Sequence, residues 1–270
     1  MATVQTLTLQ TERMQASVED GIGWMVFNNP ARHNALSLEM WEGIGDILEH
    51  FADNEDVRVV IMRGAGGKAF VSGADISEFD KERANAEQRE SYGITAGRAT
   101  QWLAKIEKPL IGLIEGYCIG GGLATALSAD VRFATPDSRF GIPAAKLGLG
   151  YEYEGLAKLA RLVGPSRARD IMFSARFMPA REALDMGLIN FIEERDDIEG
   201  ACVSYAKTIA ENAPLTVKAA KAAINAWERG GRAEEVNAVR AMVDACFDSE
   251  DYREGRKAFA AKRKPEFKNR

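Results

Sequence analysis

Two glycine-rich segments hold the residues of this chain that are best suited to chemistry. The first spans residues 64–76 and reads GAGGKAFVSGADI; the second spans residues 115–124 and reads EGYCIGGGLA. Each segment follows an apolar run and precedes a helical pattern, a context that can direct backbone N–H groups towards one point. Two such groups meeting at one point form an oxyanion hole, which stabilises negative charge on a carbonyl oxygen.

Neither segment matches a known phosphate-binding or nucleophile motif. Lys68 follows Gly67, but Met62 stands where a P-loop requires its first glycine. There is no G-x-G-x-x-G fingerprint with an acidic residue about 20 positions later, and no G-x-S-x-G nucleophile elbow. Close backbone packing without chemistry is therefore the alternative explanation of the glycines.

The elements around the two segments explain how they would be held. Residues 57–62 and 110–114 are short apolar runs typical of buried strands, and each leads into one glycine-rich segment. A hairpin is expected over residues 14–27, around the turn signal Asp20-Gly21. Ser37 is the predicted N-cap of a helix with an apolar stripe, whereas residues 1–11 are expected to be frayed.

Strands that alternate with helices predict an α/β fold built of right-handed crossovers. The chain then becomes helical, with four helices expected between residues 197 and 261. Residues 1–195 are therefore predicted to form the core with the site, and residues 196–270 a C-terminal helical region.

Composition limits the possible functions. The 270 residues include 35 basic and 40 acidic side chains, and a net charge of −5 does not favour nucleic-acid binding. Three separated cysteines and two histidines predict neither a disulfide framework nor a metal site. No signal peptide or membrane-spanning stretch is expected, which favours the cytoplasm. Basic residues gather in residues 253–270, either as a solvated tail or as contacts to a phosphate-bearing ligand.

Five motifs, in one order along nearly the whole chain, resemble the crotonase or enoyl-CoA hydratase/isomerase superfamily. They are RHNAL at residues 32–36, FVSGADI at 70–76, GYCIGGG at 116–122, FGIP with the later Gly148-Leu149 at 140–149, and FAAKRKP at 259–265. Any one of these motifs is weak by itself, but all five at spacing similar to the family's form a specific pattern.

This resemblance implies an α/β fold made of a spiral of ββα units, with a C-terminal helical region that assembles trimers, commonly paired as hexamers. It also implies an acyl-CoA thioester as substrate, with no cofactor beyond the coenzyme A it carries. The thioester oxygen would lie between the backbone N–H groups of Ala74 and Gly121. The residues implied for coenzyme A binding are Arg32, Ala35, Lys68, Ser72, Gly73, Asp75, Ile76, Phe259 and Lys262.

Individual roles follow from the same resemblance. Lys68 and Lys262 are candidates for phosphate contacts, and Phe259 is a candidate contact to the ligand of a neighbouring subunit. Asp75 has a second interpretation, because an aspartate before Ile76 could simply N-cap a short helix.

The chain departs from the family where hydratases carry two glutamates that hold the attacking water. Ala124 stands three residues after the middle glycine of the triplet, and Ala144 directly follows the FGIP motif. Adding water needs a base and an acid, and alanine supplies neither, which disfavours standard hydration. Two small residues also predict a larger, less polar acyl pocket suited to a bulky, branched or ring-bearing acyl group.

Glu152 is the best candidate for a replacement carboxylate, because it stands eight residues after Ala144, where several family members with other chemistries place their acidic residue. Glu154 is the second candidate. Both could instead favour the start of the helix that follows. Tyr151 and Tyr153 flank Glu152, and either could donate a hydrogen bond or line the acyl pocket.

These residues favour double-bond isomerisation, because one carboxylate can take a proton from one carbon and return it to another. A hydratase, decarboxylase or carbon–carbon lyase of the same family remains an alternative. A third possibility is an acyl-CoA-binding protein that has lost its chemistry.

Overall fold

The computed structural model describes residues 4–75 and 86–270. A seven-stranded sheet forms its centre, and all strand pairs from β3 onward are parallel. Numbered along the chain and given in sheet order, its strands are Gln5–Leu7 (β1), Met14–Glu19 (β2), Ile22–Phe27 (β3), Val59–Gly64 (β4), Leu110–Ile114 (β6), Val131–Ala134 (β8) and Phe191–Ile192 (β11).

A second sheet of four short strands lies where the glycine-rich segments begin. In sheet order, its strands are Met178–Pro179 (β10), Arg139–Gly141 (β9), Tyr117–Ile119 (β7) and Ala69–Val71 (β5). Because β5 pairs with β7 in parallel, the residues that follow the two strands emerge at the same edge.

The helices of the described residues are Leu38–Asp53 (α1), Ala86–Lys105 (α2), Gly121–Ala126 (α3), Tyr153–Val163 (α4), Pro165–Ser174 (α5), Ala180–Asp185 (α6), Ile198–Ala210 (α7), Pro214–Glu228 (α8), Ala233–Asp248 (α9) and Glu250–Ala260 (α10). The large sheet is covered on both faces. Val60 and Met62 of β4 join the main core that contains α1, whereas Val59 and Ile61 pack with α7. Burial on both faces explains why the parallel strands read as continuous apolar runs.

The hairpin and the first helix confirm the sequence prediction. β2 and β3 pair around Asp20 and Gly21, whose φ values of 50° and 80° suit a type I′ turn. The predicted apolar stripe of α1 is buried. Ser37 is the N-cap residue, as predicted, although its side chain makes no capping hydrogen bond.

Two local predictions need correction. Residues 5–7 are not frayed, because they pair with β2 as an edge strand. The last strand predicted over residues 188–192 shortens to β11, and the strands of the second sheet were not predicted. Those strands have only two or three residues each, too short for an alternating pattern, and they form because the chain pairs over long distances.

The four predicted C-terminal helices are present as α7 to α10, between residues 198 and 260. The division at residue 195 stays a prediction, and Ile198 and Cys202 of α7 pack directly on the large sheet. Within residues 4–75 and 86–270, no helix is both long enough and apolar enough to cross a membrane.

Candidate active site

The first glycine-rich segment turns beyond β5 and is held by a short parallel bridge between Leu36 and Ala74. The Leu36 N–H donates to the Gly73 carbonyl at 2.8 Å, and the Asp75 N–H donates to the Leu36 carbonyl at 2.9 Å. Backbone groups alternate in direction along an extended chain. The Ala74 N–H therefore points away from Leu36, towards the second segment.

The second segment brings a helix start to the same place. The Gly120 N–H donates to the Gly141 carbonyl at 2.8 Å, and Gly120 has a φ of 56°, which favours glycine. Gly121 is the first residue of α3, where an N–H has no partner inside the helix. A Cβ placed on Gly121 would lie 3.8 Å from the Ala74 nitrogen.

The backbone N–H groups of Ala74 and Gly121 are therefore neighbours. In the described part of the chain, neither of them donates to a backbone or side-chain acceptor. Adjacent unpaired donors favour an anionic oxygen, because each of them offers a hydrogen bond that strengthens as negative charge develops.

Gly122, unlike Gly121, is required for close packing of the backbone. A Cβ on Gly122 would lie 2.0 Å from the Val71 carbonyl oxygen, a contact that no side chain can make. The start of α3 thus rests directly on the end of β5. This close approach sets the separation of the two loops, so close backbone packing explains the glycine at position 122.

Asn34 holds the first glycine-rich segment through side-chain hydrogen bonds, a role that the sequence did not predict. Its buried amide donates to the carbonyl oxygens of Ala65 at 3.0 Å and Ala69 at 2.7 Å, and its oxygen accepts the Asn29 N–H at 2.8 Å. The φ of Asn34 is 55°, in the region that asparagine tolerates better than most residues. Its place within the RHNAL motif was the available signal.

A charged cluster joins the bases of both segments. Arg195 donates to the Gly67 carbonyl at 2.7 Å and to the buried carboxylate of Glu115 at 2.9 Å, and its other nitrogen reaches Asp137 at 2.8 Å. Arg63 approaches the second oxygen of Glu115 at 3.4 Å. Nothing in the sequence pattern indicated Arg195, because its partners lie far from it along the chain.

Most of the residues predicted to bind coenzyme A surround the first segment. Arg32 and Lys68 are exposed, Ala35 and Ser72 are half-buried, and Asp75 is buried. The Ser72 N–H donates to the His33 carbonyl at 3.1 Å, so the RHNAL motif and the segment form one surface.

The other coenzyme A candidates lie elsewhere. Phe259, near the end of α10, is 88% exposed, and Lys262 follows that helix with a φ of 52°. Ile76 lies outside the described residues, and so does the start of the helix that Asp75 was suggested to cap.

The candidate acyl residues differ in their surroundings. Ala144 is buried in the main core and Ala124 is half-buried on α3. Tyr151 is half-buried against the main core, whereas Tyr153 is 76% exposed. The Tyr151 hydroxyl lies 3.9 Å from the position of a Cβ on Gly120. Burial raises the pKa of this hydroxyl, which keeps it protonated at neutral pH.

The candidate carboxylates stand at the start of α4. Glu152 is its N-cap residue and Glu154 lies in its first turn; both side chains are exposed. The Glu152 side chain makes no capping hydrogen bond, which leaves the carboxylate available for another role. Among the described residues there is no group of three or more side chains that could hold a metal ion.

Comparison with known proteins agrees with this geometry. The enoyl-CoA hydratase/isomerase family profile matches residues 17–270. A short-chain-enoyl-CoA hydratase of Clostridium acetobutylicum is 36% identical over 256 residues, which cover 93% of this chain and 96% of that protein. A crotonyl-CoA hydratase of Syntrophomonas wolfei is 32% identical over 92% of this chain and 95% of that protein.

Solved structures give the same result. An enoyl-CoA hydratase/carnithine racemase from Magnetospirillum magneticum superposes with a TM-score of 0.89 at 38% identity, over 97% of each chain. An enoyl-CoA hydratase from Bacillus anthracis gives a TM-score of 0.90 at 28% identity, over 96% of this chain and all of that one. The fold of this chain is therefore that of enzymes of the enoyl-CoA hydratase/isomerase class.

The chain belongs to the enoyl-CoA hydratase/isomerase family. The predicted family and the crotonase-like α/β fold with its C-terminal helical region are thereby confirmed. The predicted enzyme class is confirmed as well. The individual site residues stay predictions.

Proposed function

We propose that this enzyme acts on an acyl-CoA thioester through an enolate whose oxygen is held by the N–H groups of Ala74 and Gly121. The observation that supports this most directly is the adjacency of the two backbone groups, with a Cβ on Gly121 only 3.8 Å from the Ala74 nitrogen. Removing a proton beside a thioester moves negative charge onto its oxygen. Each fixed donor then contributes about 3 kcal/mol to stabilising that charge.

The proposed reaction is double-bond isomerisation with Glu152 as the acid/base. The relatives described above are named hydratases, but the positions of the two water-holding glutamates are Ala124 and Ala144 in this chain. Isomerisation needs a single carboxylate that removes a proton at one carbon. Glu152 supports this role because its carboxylate is not used as a helix cap.

Glu152→Gln is expected to lower turnover of an enoyl-CoA substrate by about 10²–10⁴-fold, because the amide cannot accept the proton. Binding of the CoA thioester should survive, since the substitution preserves size. Steady-state kinetics and calorimetric titration measure the two quantities. Glu154→Gln is the matched control, two residues further on and also exposed. Near-normal activity of the Glu152 variant would contradict the assignment.

Decarboxylation is the second candidate, favoured by Ala124 and Ala144, because loss of carbon dioxide needs the oxyanion hole but no base to begin. Incubating the enzyme with a panel of acyl-CoA thioesters in heavy water, with products identified by mass, separates the possibilities. Isomerisation is accompanied by deuterium exchange, decarboxylation by loss of carbon dioxide, and hydration by a gain of water. A protein that only binds the thioester would do none of these.

We also propose that the acyl group is bulky, branched or ring-bearing, and that Ala124, Ala144, Tyr151 and Tyr153 line its pocket. The support is the small size of the two alanines, one buried and one half-buried. Best turnover of short linear enoyl chains in the same panel would contradict this.

The coenzyme A portion is proposed to bind along the first segment and the RHNAL motif, with Lys68 and Lys262 at its phosphates. The hydrogen bond between Ser72 and His33 supports one continuous surface there. No further cofactor is needed for the chemistry proposed. A cytoplasmic location remains a proposal, consistent with three cysteines that are all free.

The oligomer is proposed to be a trimer or a pair of trimers. Ile224 and Trp227 on α8 are 60% and 78% exposed, and Phe247 on α9 is 59% exposed. Large apolar side chains exposed on neighbouring helices indicate an interaction surface. Light scattering of the 29.5-kDa chain should give three or six times that mass. A monomer at micromolar concentration would contradict the proposal.

A further inference from the structure

The hydroxyl of Tyr151, a candidate acyl-pocket residue, lies beside the second glycine-rich segment. The residue precedes α4, and its ring packs against the main core. Its hydroxyl lies 3.9 Å from the position that a Cβ on Gly120 would occupy. A side chain at residue 120 would therefore stand beside this hydroxyl, and glycine leaves that space open.

The first segment borders the same space. Gly73 Cα also lies 3.9 Å from the Cβ position on Gly120. Gly73 directly precedes Ala74, and Gly120 directly precedes Gly121, so the open space beside Gly120 is bordered by the hydroxyl and by the residues that precede the two proposed oxyanion donors. A thioester whose oxygen was held by those donors would therefore lie in the neighbourhood of this phenol.

The protonation state of this phenol suits a donor. Burial disfavours the phenolate, so Tyr151 holds its proton at neutral pH. Tyrosine is among the side chains that serve as general acids. Glu152, the next residue, is an exposed carboxylate and so suits the opposite role of proton acceptor.

We propose that the Tyr151 hydroxyl is the proton donor that quenches the enolate at carbon. The proposal rests on the proposed function and divides its proton transfers between two residues. Glu152 takes a proton from the first carbon, and the electron pair of that C–H bond forms the enolate. The enolate then uses its electron pair to form a C–H bond at the second carbon, the Tyr151 O–H bond breaks, and the thioester carbonyl is restored. The phenolate recovers its proton from the Glu152 carboxylic acid through solvent water, so no net proton is gained or lost.

Tyr151→Phe tests this, because it removes the hydroxyl and keeps the ring that packs on the core. Turnover is expected to fall by about 10²-fold. Deuterium exchange at the first carbon, which needs only Glu152, should continue at the wild-type rate. Tyr205→Phe is the matched control; it removes the same group from a ring of α7 that packs against Phe133 and Phe191, and it should leave both rates unchanged.

The outcomes separate this proposal from the proposed function. Near-normal turnover of Tyr151→Phe overturns the role of Tyr151 while leaving the enolate mechanism intact. The role of Tyr151 is also overturned if Tyr151→Phe loses both turnover and deuterium exchange while calorimetry shows normal binding of the CoA thioester. The hydroxyl would then act before the enolate forms. Absence of exchange in the wild-type enzyme with every thioester of the panel contradicts the proposed function itself. An unchanged melting temperature verifies that the variant is folded, and Tyr151→Met, which keeps apolar packing without a hydroxyl, repeats the test if it is not.

Discussion

Replacing Gly121 with proline is expected to lower kcat by about 10²–10³-fold, the cost of removing one donor from an oxyanion hole. Gly121 is the first residue of α3, and proline is well tolerated at that position because its missing N–H would have no partner inside the helix. The Cβ of the ring would meet the Ala74 nitrogen at 3.8 Å, an ordinary contact. The fold should therefore survive while one N–H of the pair is lost.

The matched control is Gly121→Ala, which adds a Cβ at the same place and keeps the N–H. Its kcat should stay close to that of the wild type, so the comparison isolates the donor from the added bulk. Both variants are measured with the best thioester of the substrate panel, together with circular dichroism. Equal activity of the proline and alanine variants would show that this N–H does not stabilise the reaction.

Gly122→Ala is expected to destabilise the protein by about 3 kcal/mol or more, at the upper end of what overpacking costs. The added Cβ would stand 2.0 Å from the Val71 carbonyl oxygen and 2.8 Å from the Val71 Cβ. The Val71 carbonyl group cannot rotate away from the added Cβ as the end of a flexible side chain could. Either β5 or the start of α3 must therefore move. The free energy of unfolding in urea measures the effect.

Gly121→Ala is again the control, because it makes the same substitution one residue earlier. It should change the free energy of unfolding little, since its nearest contacts are 3.8 and 3.9 Å away. A Gly122→Ala variant with wild-type stability would mean that α3 and β5 separate easily. Such an outcome would also weaken the view that their contact sets the geometry of the two N–H groups.

The long elements were predictable because their side chains repeat. α1 and the four C-terminal helices follow a helical period, and the buried strands β4 and β6 are continuous apolar runs. Short elements were not predictable. β5 and β7 have three residues each, and they exist because they pair with one another across nearly fifty residues of chain.

The candidate site also contains residues that the sequence could predict and residues that it could not. The glycine-rich segments and the alanines at 124 and 144 were visible in the sequence, as was the family they resemble. Asn34 and Arg195 were not assigned, because their roles depend on carbonyl oxygens and carboxylates that only the folded chain brings near. Tyr151 and Tyr153 were equivalent in the sequence, and burial distinguishes them.

The sequence by itself determined where glycines leave the backbone without a side chain and where alanines stand in place of the hydratase glutamates, because residue identity alone decides both. From these identities the sequence predicts the class of chemistry that the two glycine segments permit and the reaction that Ala124 and Ala144 disfavour. Only the tertiary structure decided that Ala74 and Gly121 present their N–H groups side by side. That arrangement depends on the Leu36 bridge and on the contact of Gly122 with Val71. Both contacts join segments distant along the chain, and no local pattern specifies how such segments meet.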